Sequence, residues 1–597
     1  MSMHNLVGHV STKVTPQSEK ILGTTQVENS AGGFVWEADR WTRLHRFLIL
    51  GSEGGTYYAT EKALTVENAE CLLDLVAEDG LRVVRTIVEV SHTGRAPKNE
   101  PAIFALALCA KMGNKETQTA AYKALPQVCR IGTHLFQFAE AIKAFGGFSS
   151  GTTRALARWY QGSEQAPVAG EEDAEATTTG GDRHERWLAL QVVKYQARGG
   201  WSHRDLLRLA KPGAKSRKAT RSLGTDAVFT WITKGTLNEA APALIRAFEQ
   251  AKAIGVADDG KVTKAGVGTL VGLINAHGLP RECVPTHYLN EVEVWDALLD
   301  NGGRGMPLTA MIRNLGKMSS VGLLKPMSGP TGKVIAALGN ADALRKARVH
   351  PLAVLVALNT YRGGQGIRGS LAWTPVSQVV DALDKAFYLS FGAVEATGKR
   401  HLLALDISGS MASSAIANMP GITPRVGSAA LALVTAAVEP QHHFVGFTCA
   451  DARFGGSRGA LQNYWAGPNG SMHGPSGISE LTISSRQRLD DVVKYIGGLP
   501  MGGTDCAAPM LYAMDRGIEA DVFVIFTDSE TWAGGIHPSQ ALQQYRKKTG
   551  INAKLVVVGM VANEFTIADP KDKGMLDVVG FDTATPNLIA DFAMGRI

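Results

Sequence analysis

The chain is short of cysteine, of long apolar runs and of any targeting signal. Its six cysteines (Cys71, Cys109, Cys129, Cys283, Cys449, Cys506) are scattered over 597 residues with no C-x-x-C spacing. That argues against a zinc module and against a disulfide framework. No apolar run approaches the roughly 20 residues that cross a bilayer; the longest, Leu352–Leu358 and Ser428–Val438, suit a protein core. Met1–Lys20 is polar and lacks the apolar stretch of a secretory signal. The expectation is a soluble, intracellular, cytoplasmic protein with no membrane association. Hydrophobic residues make up 45% and charged residues 19%, which excludes a wholly disordered chain.

The net charge of +6 is unevenly spread. Residues 398–597 hold 16 Lys+Arg against 18 Asp+Glu, so the basic excess lies in the preceding body. Within that body, Ser163–Asp182 carries Glu164, Glu171, Glu172, Asp173, Glu175 and Asp182 and no base. A basic body beside a near-neutral C-terminal region points to an anionic partner, nucleic acid first, with a solvated basic surface as the plain alternative.

Residues 1–35 are polar without a sustained period and are expected to form a flexible tail. From about Arg43 to Leu389 the apolar residues recur at three- and four-residue intervals, as in Ala69–Val76, Leu81–Val88, Ile103–Met112, Leu135–Phe145 and Pro351–Tyr361. Glycine and asparagine break these stretches at Gly80, Gly113-Asn114, Gly199-Gly200 and Asn301-Gly302. Many short helices without intervening strands predict an α-solenoid over 36–397, with an irregular helical bundle as the alternative. The acidic segment 163–182 has no large apolar residue and is expected to be a disordered insertion.

After Gly398 the pattern changes. Short continuous apolar runs at Leu402–Leu405, Phe444–Phe447, Val522–Phe526 and Leu555–Val558 alternate with helical segments at Gly427–Val438, Leu489–Ile496, Ala507–Asp515 and Pro538–Lys548. This predicts, over 398–597, an α/β domain with a parallel sheet covered on both faces, whose functional residues sit at the carboxyl ends of strands.

The first of those strands ends in Asp406-Ile407-Ser408-Gly409-Ser410; a later loop reads Gly502-Gly503-Thr504-Asp505; a third strand ends in Phe526-Thr527-Asp528. Two carboxylates and three hydroxyls, Asp406, Ser408, Ser410, Thr504 and Asp528, form a hard all-oxygen set suited to Mg²⁺ or another divalent cation. The set resembles the metal-ion-dependent adhesion site (MIDAS) of von Willebrand factor A (VWA) domains. That resemblance implies serine and threonine ligation, aspartates often acting through water, and an open position for a partner's carboxylate. Other motifs carry less: Gly455–Gly459 fits G-x-S-x-G without a strand–turn–helix context, and Gly329–Lys333 lacks the ends of a phosphate loop. No catalytic constellation stands out, and the protein is expected not to be an enzyme.

Arg43–Tyr58 (R-L-H-R-F-L-I-L-G-S-E-G-G-T-Y-Y) and Lys194–Lys211 (K-Y-Q-A-R-G-G-W-S-H-R-D-L-L-R-L-A-K) are distinctive. With Arg313–Met318, Trp532–Gly535 and Phe565–Met575, they are similar to the Ro autoantigen family, from about Gly33 to Ile597. That resemblance implies a TROVE module, a closed ring of HEAT-like helical repeats, followed by a doubly wound von Willebrand factor A domain. It also implies binding of small Y RNAs on the ring's outer surface, and of misfolded RNAs whose 3′ ends enter its hole. Bacterial members are associated with a 3′-to-5′ exoribonuclease and with rRNA maturation or decay.

The candidate RNA contacts agree with it. Lys194 and Arg198 are spaced i, i+4, predicting one helical face; Arg204 and Arg208 repeat the spacing on the next helix, with His203 beside them and Lys211 behind. A row of cations at helical spacing suits phosphates read by shape. By resemblance, Lys194 and Arg198 align with the family's basic RNA-contact helix, and Lys211 stands where vertebrate relatives have histidine. Arg313, Lys317 and Lys346–His350 are further candidates for the hole. The reading is a monomeric two-domain protein acting in RNA quality control, maturation or decay. The rival is a protein-interaction scaffold whose Mg²⁺-dependent A domain captures an acidic partner.

Overall fold

The computed structural model describes residues 14–52, 55–57, 59–162, 180–212, 222–257, 261–367, 369–392, 394–413, 415–416, 421–449, 464–465, 476–484, 487–499 and 502–597. Most of the acidic insertion (163–179), the Gly455–Gly459 motif and residues 1–13 of the expected tail therefore lie outside the described residues. Two compact units emerge. One comprises Leu73–Gly94 and Asn99–Ser390; the other joins the residues up to Leu72 and Arg95–Lys98 to Phe391–Ile597. Outside the large sheet the strands are short: β1 (Val27–Glu28), β2 (Phe34–Glu37), and a hairpin of β3 (Ala197–Arg198) with β4 (Trp201–Ser202).

The first unit is helical, as the apolar periodicity predicts. Several of its helices start where a short polar side chain satisfies a free amide of the first turn. Asn114 accepts from Thr117 N, Ser149 from Thr152 N, Ser222 from Thr225 N and Thr263 from Gly266 N. Several stop at a left-handed glycine, as at Gly235, Gly278 and Gly364. Helix Gly132–Ala144 buries Leu135, Phe136, Phe138, Ala139 and Ile142 along one stripe. No helix among the described residues is long and apolar enough to cross a membrane. Cys71, Cys109, Cys129, Cys283 and Cys506 are buried thiols rather than disulfide partners.

The second unit is built on a seven-stranded sheet of β5 (His401–Asp406), β6 (His442–Cys449), β7 (Tyr464–Trp465), β8 (Ser476–Glu480), β9 (Val522–Thr527), β10 (Lys554–Gly559) and β12 (Met575–Val579). Its order is β12-β10-β9-β5-β6-β8-β7. β12, β10, β9, β5 and β6 are parallel, whereas at one edge β8 pairs antiparallel with β6 and β7 antiparallel with β8, so the sheet is mixed rather than wholly parallel. β8 carries Ser-Gly-Ile-Ser-Glu and not a continuous apolar run. By contrast, every residue of β5 and β9 is buried, as a doubly covered sheet requires.

The reading of residues 1–35 as a flexible tail fails for 14–35. Phe34–Glu37 pairs antiparallel with β11 (Phe565–Thr566), and Val35 lies in one core with Leu402, Phe447, Phe523 and Leu555. Gln17 is fully buried; its Nε2 donates to Asp505 Oδ1 at 2.7 Å and to Ile536 O at 2.8 Å. Asn29 Nδ2 donates to Thr531 O at 2.9 Å. The approach is so close that a Cβ on Gly33 would fall 1.9 Å from Thr531 O. Helix Arg40–Leu50 belongs to this unit as well. Arg46, with no exposed side-chain surface, donates to Asn563 O, Phe565 O and both oxygens of Asp577.

Candidate metal centre and nucleic-acid interface

Strands β5 and β9 are hydrogen-bonded neighbours running in the same direction, so the residues that follow them emerge at one edge. Asp406 ends β5 and Asp528 follows β9; both are buried. Asp406 Oδ1 accepts from Ser408 N at 2.9 Å, and its Oδ2 from Thr527 Oγ1 at 2.7 Å. The Ser408 and Ser410 hydroxyls are 3.1 Å apart. Asp528 Oδ1 accepts from Glu530 N at 3.1 Å, and Ser529 turns the chain there with φ +64°. The Thr504 loop is tied to the same edge: Gly409 N donates to Gly502 O at 3.1 Å, and Thr448 Oγ1 to Gly503 O at 2.9 Å. Thr504 is itself buried, and its carbonyl accepts from Ala533 N at 3.0 Å.

Burial first, and the neighbouring Asp528 charge second, push the Asp406 carboxyl up to about 7. Burial raises Asp528 too, against hydrogen bonds from Ser410 and from backbone amides. Glu530, two residues on, is pushed up to about 8 by burial and by Asp528, and its Oε2 is buried with no partner among the described residues. Acids gathered in a dry place repel one another unless a cation neutralises them. The residues present therefore suit a hard divalent cation: hydroxyls of Ser408, Ser410 and Thr504 as oxygen donors, carboxylates of Asp406 and Asp528 as charge. Thr527, which fixes Asp406, and Glu530 are not among the candidate site residues read from the sequence, although both stand within two residues of Asp528.

In the helical unit, Arg204 and Arg208 are exposed on helix His203–Ala210, one turn apart as their spacing predicts. Ser202 starts that helix in a reciprocal capping box with Asp205, and exposed Lys211 ends it in the left-handed conformation (φ 43°).

Two expectations need correcting. Lys194 and Arg198 do not share a helical face. Helix Gly180–Lys194 ends at Lys194, and Arg198 lies on β3, opposite Trp201 across the Gly199-Gly200 turn. Both glycines have positive φ (58° and 80°), a turn geometry that glycine adopts without strain and that closes a hairpin. Arg198 is nevertheless exposed, while Lys194 is partly buried with Nζ 5.4 Å from the Tyr195 ring centre.

His203 is not a surface contact. It is 2% exposed, its Nδ1 lies 2.8 Å from Tyr160 OH, and it packs against Phe136 and Trp159. Burial pulls it down to about 4, so the ring is neutral. The space beside it is so tight that a Cβ on Gly132 would meet its Nε2 at 2.9 Å.

Among the remaining candidates, Arg313 is exposed, Lys317 Nζ donates to Asn290 Oδ1 at 2.8 Å, Lys346 is exposed and His350 is a buried helix cap.

Comparison with known proteins gives matches along nearly the whole chain. The model of the Ro60 vWA domain matches residues 400–593, and that of the TROVE domain residues 27–253 and 278–363. The RNA-binding protein RO60 of Deinococcus radiodurans is 38% identical, over 100% of this chain and 100% of its own. The RNA-binding protein RO60 of Caenorhabditis elegans is 33% identical, over 98% of this chain and 92% of its own. The crystal structure of the Deinococcus radiodurans RO (RSR) protein superposes with a TM-score of 0.62 at 36% identity, covering 94% of this chain and 100% of that one.

Proposed function

The chain belongs to the Ro60 family, in which a TROVE domain precedes a vWA domain, and from that premise we propose that it binds noncoding RNA in the cytoplasm for quality control, maturation or decay. Its ligands are small structured Y RNAs and misfolded or 3′-extended RNAs, rRNA fragments among them, delivered in some cases to a 3′-to-5′ exoribonuclease. The curated relatives are named RNA-binding proteins, and the family is one of binding proteins rather than enzymes.

The observation that carries the reading is the cationic face of helix His203–Ala210. Arg204 and Arg208 stand exposed on one side, Lys211 follows, and exposed Arg198 precedes them on the adjoining hairpin. Arginine forks engage phosphate oxygens in pairs, and such a row holds an RNA backbone irrespective of its sequence. The opposite side of the same helix, His203, Leu206 and Leu207, is buried and holds that row in place.

In the vWA unit, Ser408, Ser410, Thr504, Asp406 and Asp528 would hold Mg²⁺. The ion would supply an electrophilic position for an acidic group of a partner. These chain residues orient one another through Thr527 and the Ser408 amide, and their burial excludes bulk water.

Sequencing of RNA crosslinked to the protein in its own cells, with and without magnesium chelation, tests the reading. A small structured RNA with rRNA or 3′-extended fragments, surviving chelation, is expected. No enriched RNA, together with a protein partner lost on chelation, would favour the scaffold instead.

A further inference from the structure

Beside the cationic row stands an aromatic pair that the phosphate reading does not use. Trp201 on β4 is only part-buried, and so is Phe148, which follows helix Gly132–Ala144. Their ring centres are 5.5 Å apart at 65°, edge to face. The indole Nε1 donates to Glu140 Oε2 at 2.5 Å, and Lys143 Nζ lies 5.8 Å from the indole centre. The tryptophan is thus held in one orientation at the surface. Trp159 of the same unit shows the alternative: it is 2% exposed and donates to Cys129 O inside the core.

Two glycine pairs flank these rings. Gly146-Gly147 precedes Phe148 and Gly199-Gly200 precedes Trp201; all four have positive φ, and no atom lies within 4 Å of the place a Cβ would take. The turns bring the rings up without side chains of their own to cover them. Arg198 is directly opposite Trp201 in the hairpin register, so the two side chains leave the same face. The nearby carboxylates are engaged, Glu140 by the indole and Asp205 by Ser202. A fixed aromatic surface with the exposed Arg198 at its rim and the Lys143 ammonium over the indole suits a planar, anionic ligand.

We propose that Trp201 and Phe148 form a stacking platform for an unpaired RNA base, with Arg198 and Lys143 receiving the phosphates on either side. The proposal rests on the RNA-binding reading and deepens it: the same surface grips duplex backbone through Arg204 and Arg208 and takes an extruded or single-stranded nucleotide on the aromatic pair. Stacking is tolerant of base identity because every base offers a π-face.

The test uses the full chain, a single-stranded oligouridylate bearing 4-thiouridine, and a blunt RNA duplex. Photocrosslinking of the wild type is expected to mark the peptides containing Phe148 and Trp201. Trp201→Leu and Phe148→Leu keep apolar cover over the helix, and each is expected to weaken oligouridylate binding by roughly tenfold. Duplex affinity should stay within about twofold, and the salt slope should be unchanged because no phosphate contact is lost. Wild-type affinity for oligouridylate in both variants, or crosslinks confined to other peptides, would overturn the platform and leave RNA binding standing. A wild-type chain that binds neither probe would overturn the RNA-binding reading itself, and the platform with it.

Discussion

Nδ1 of His203 lies 2.8 Å from the hydroxyl of Tyr160, inside the helical unit, while Arg204 beside it in sequence is exposed. One helix therefore divides its residues between the core and the exposed surface. His203→Ala removes a buried ring and strands the Tyr160 hydroxyl, so denaturation should show a loss of about 2–4 kcal/mol. RNA affinity of the folded fraction should stay near wild type. A stability unchanged by the substitution, with RNA binding lost, would return His203 to the surface.

The same imidazole makes stability depend on pH. Burial lowers it from an ordinary value near 6.5 to about 4, so the folded protein binds fewer protons than the unfolded chain between those limits. Its contribution is complete above about pH 6.5 and is lost as the pH falls through about 4. Chemical denaturation at a series of pH values should show that this part of the slope disappears in His203→Gln.

Arg46 and Asp577 meet at 2.7 Å with side-chain exposures of 0% and 12%. Burial raises the Asp577 carboxyl, and Arg46 is what draws it back. Arg46→Ala leaves that acid without its cation and should cost about 3–5 kcal/mol. Adding Asp577→Ala should cost little more, because the pair acts as a unit; additive losses in thermal or urea denaturation would contradict this.

At the candidate metal centre, Asp406→Ala is expected to abolish the heat of Mg²⁺ binding in calorimetry. Far-ultraviolet circular dichroism should stay unchanged, since β5 keeps its neighbours β6 and β9. An undiminished heat would remove Asp406 from the ligand set.

Much of this was legible in the sequence, for identifiable reasons. Leu402–Leu405 and Val522–Phe526 are continuous apolar runs, which only a doubly covered strand accommodates, and the D-x-S-x-S motif sits where the first of them must end. The burial of Gln17, Gln26 and Asn29 was not legible. They are held by hydrogen bonds to residues some five hundred positions away, which leave no apolar period. Gly199-Gly200 was a hairpin signal overshadowed by the basic spacing of Lys194 and Arg198. His203, Leu206 and Leu207 at i, i+3 and i+4 form the buried stripe, so the spacing that exposes Arg204 and Arg208 places the histidine inside.

Exposed cations of helix His203–Ala210 are proposed to hold RNA by its phosphates. The most direct measurement is equilibrium binding of a structured RNA over a range of salt concentrations, for the wild type and for Arg204→Ala with Arg208→Ala. Binding is expected to weaken for every RNA sequence tried, with the slope of log K against log salt flattened by about one to two units and stability unchanged within about 0.5 kcal/mol. Equal affinity and equal slope in the two proteins would contradict it.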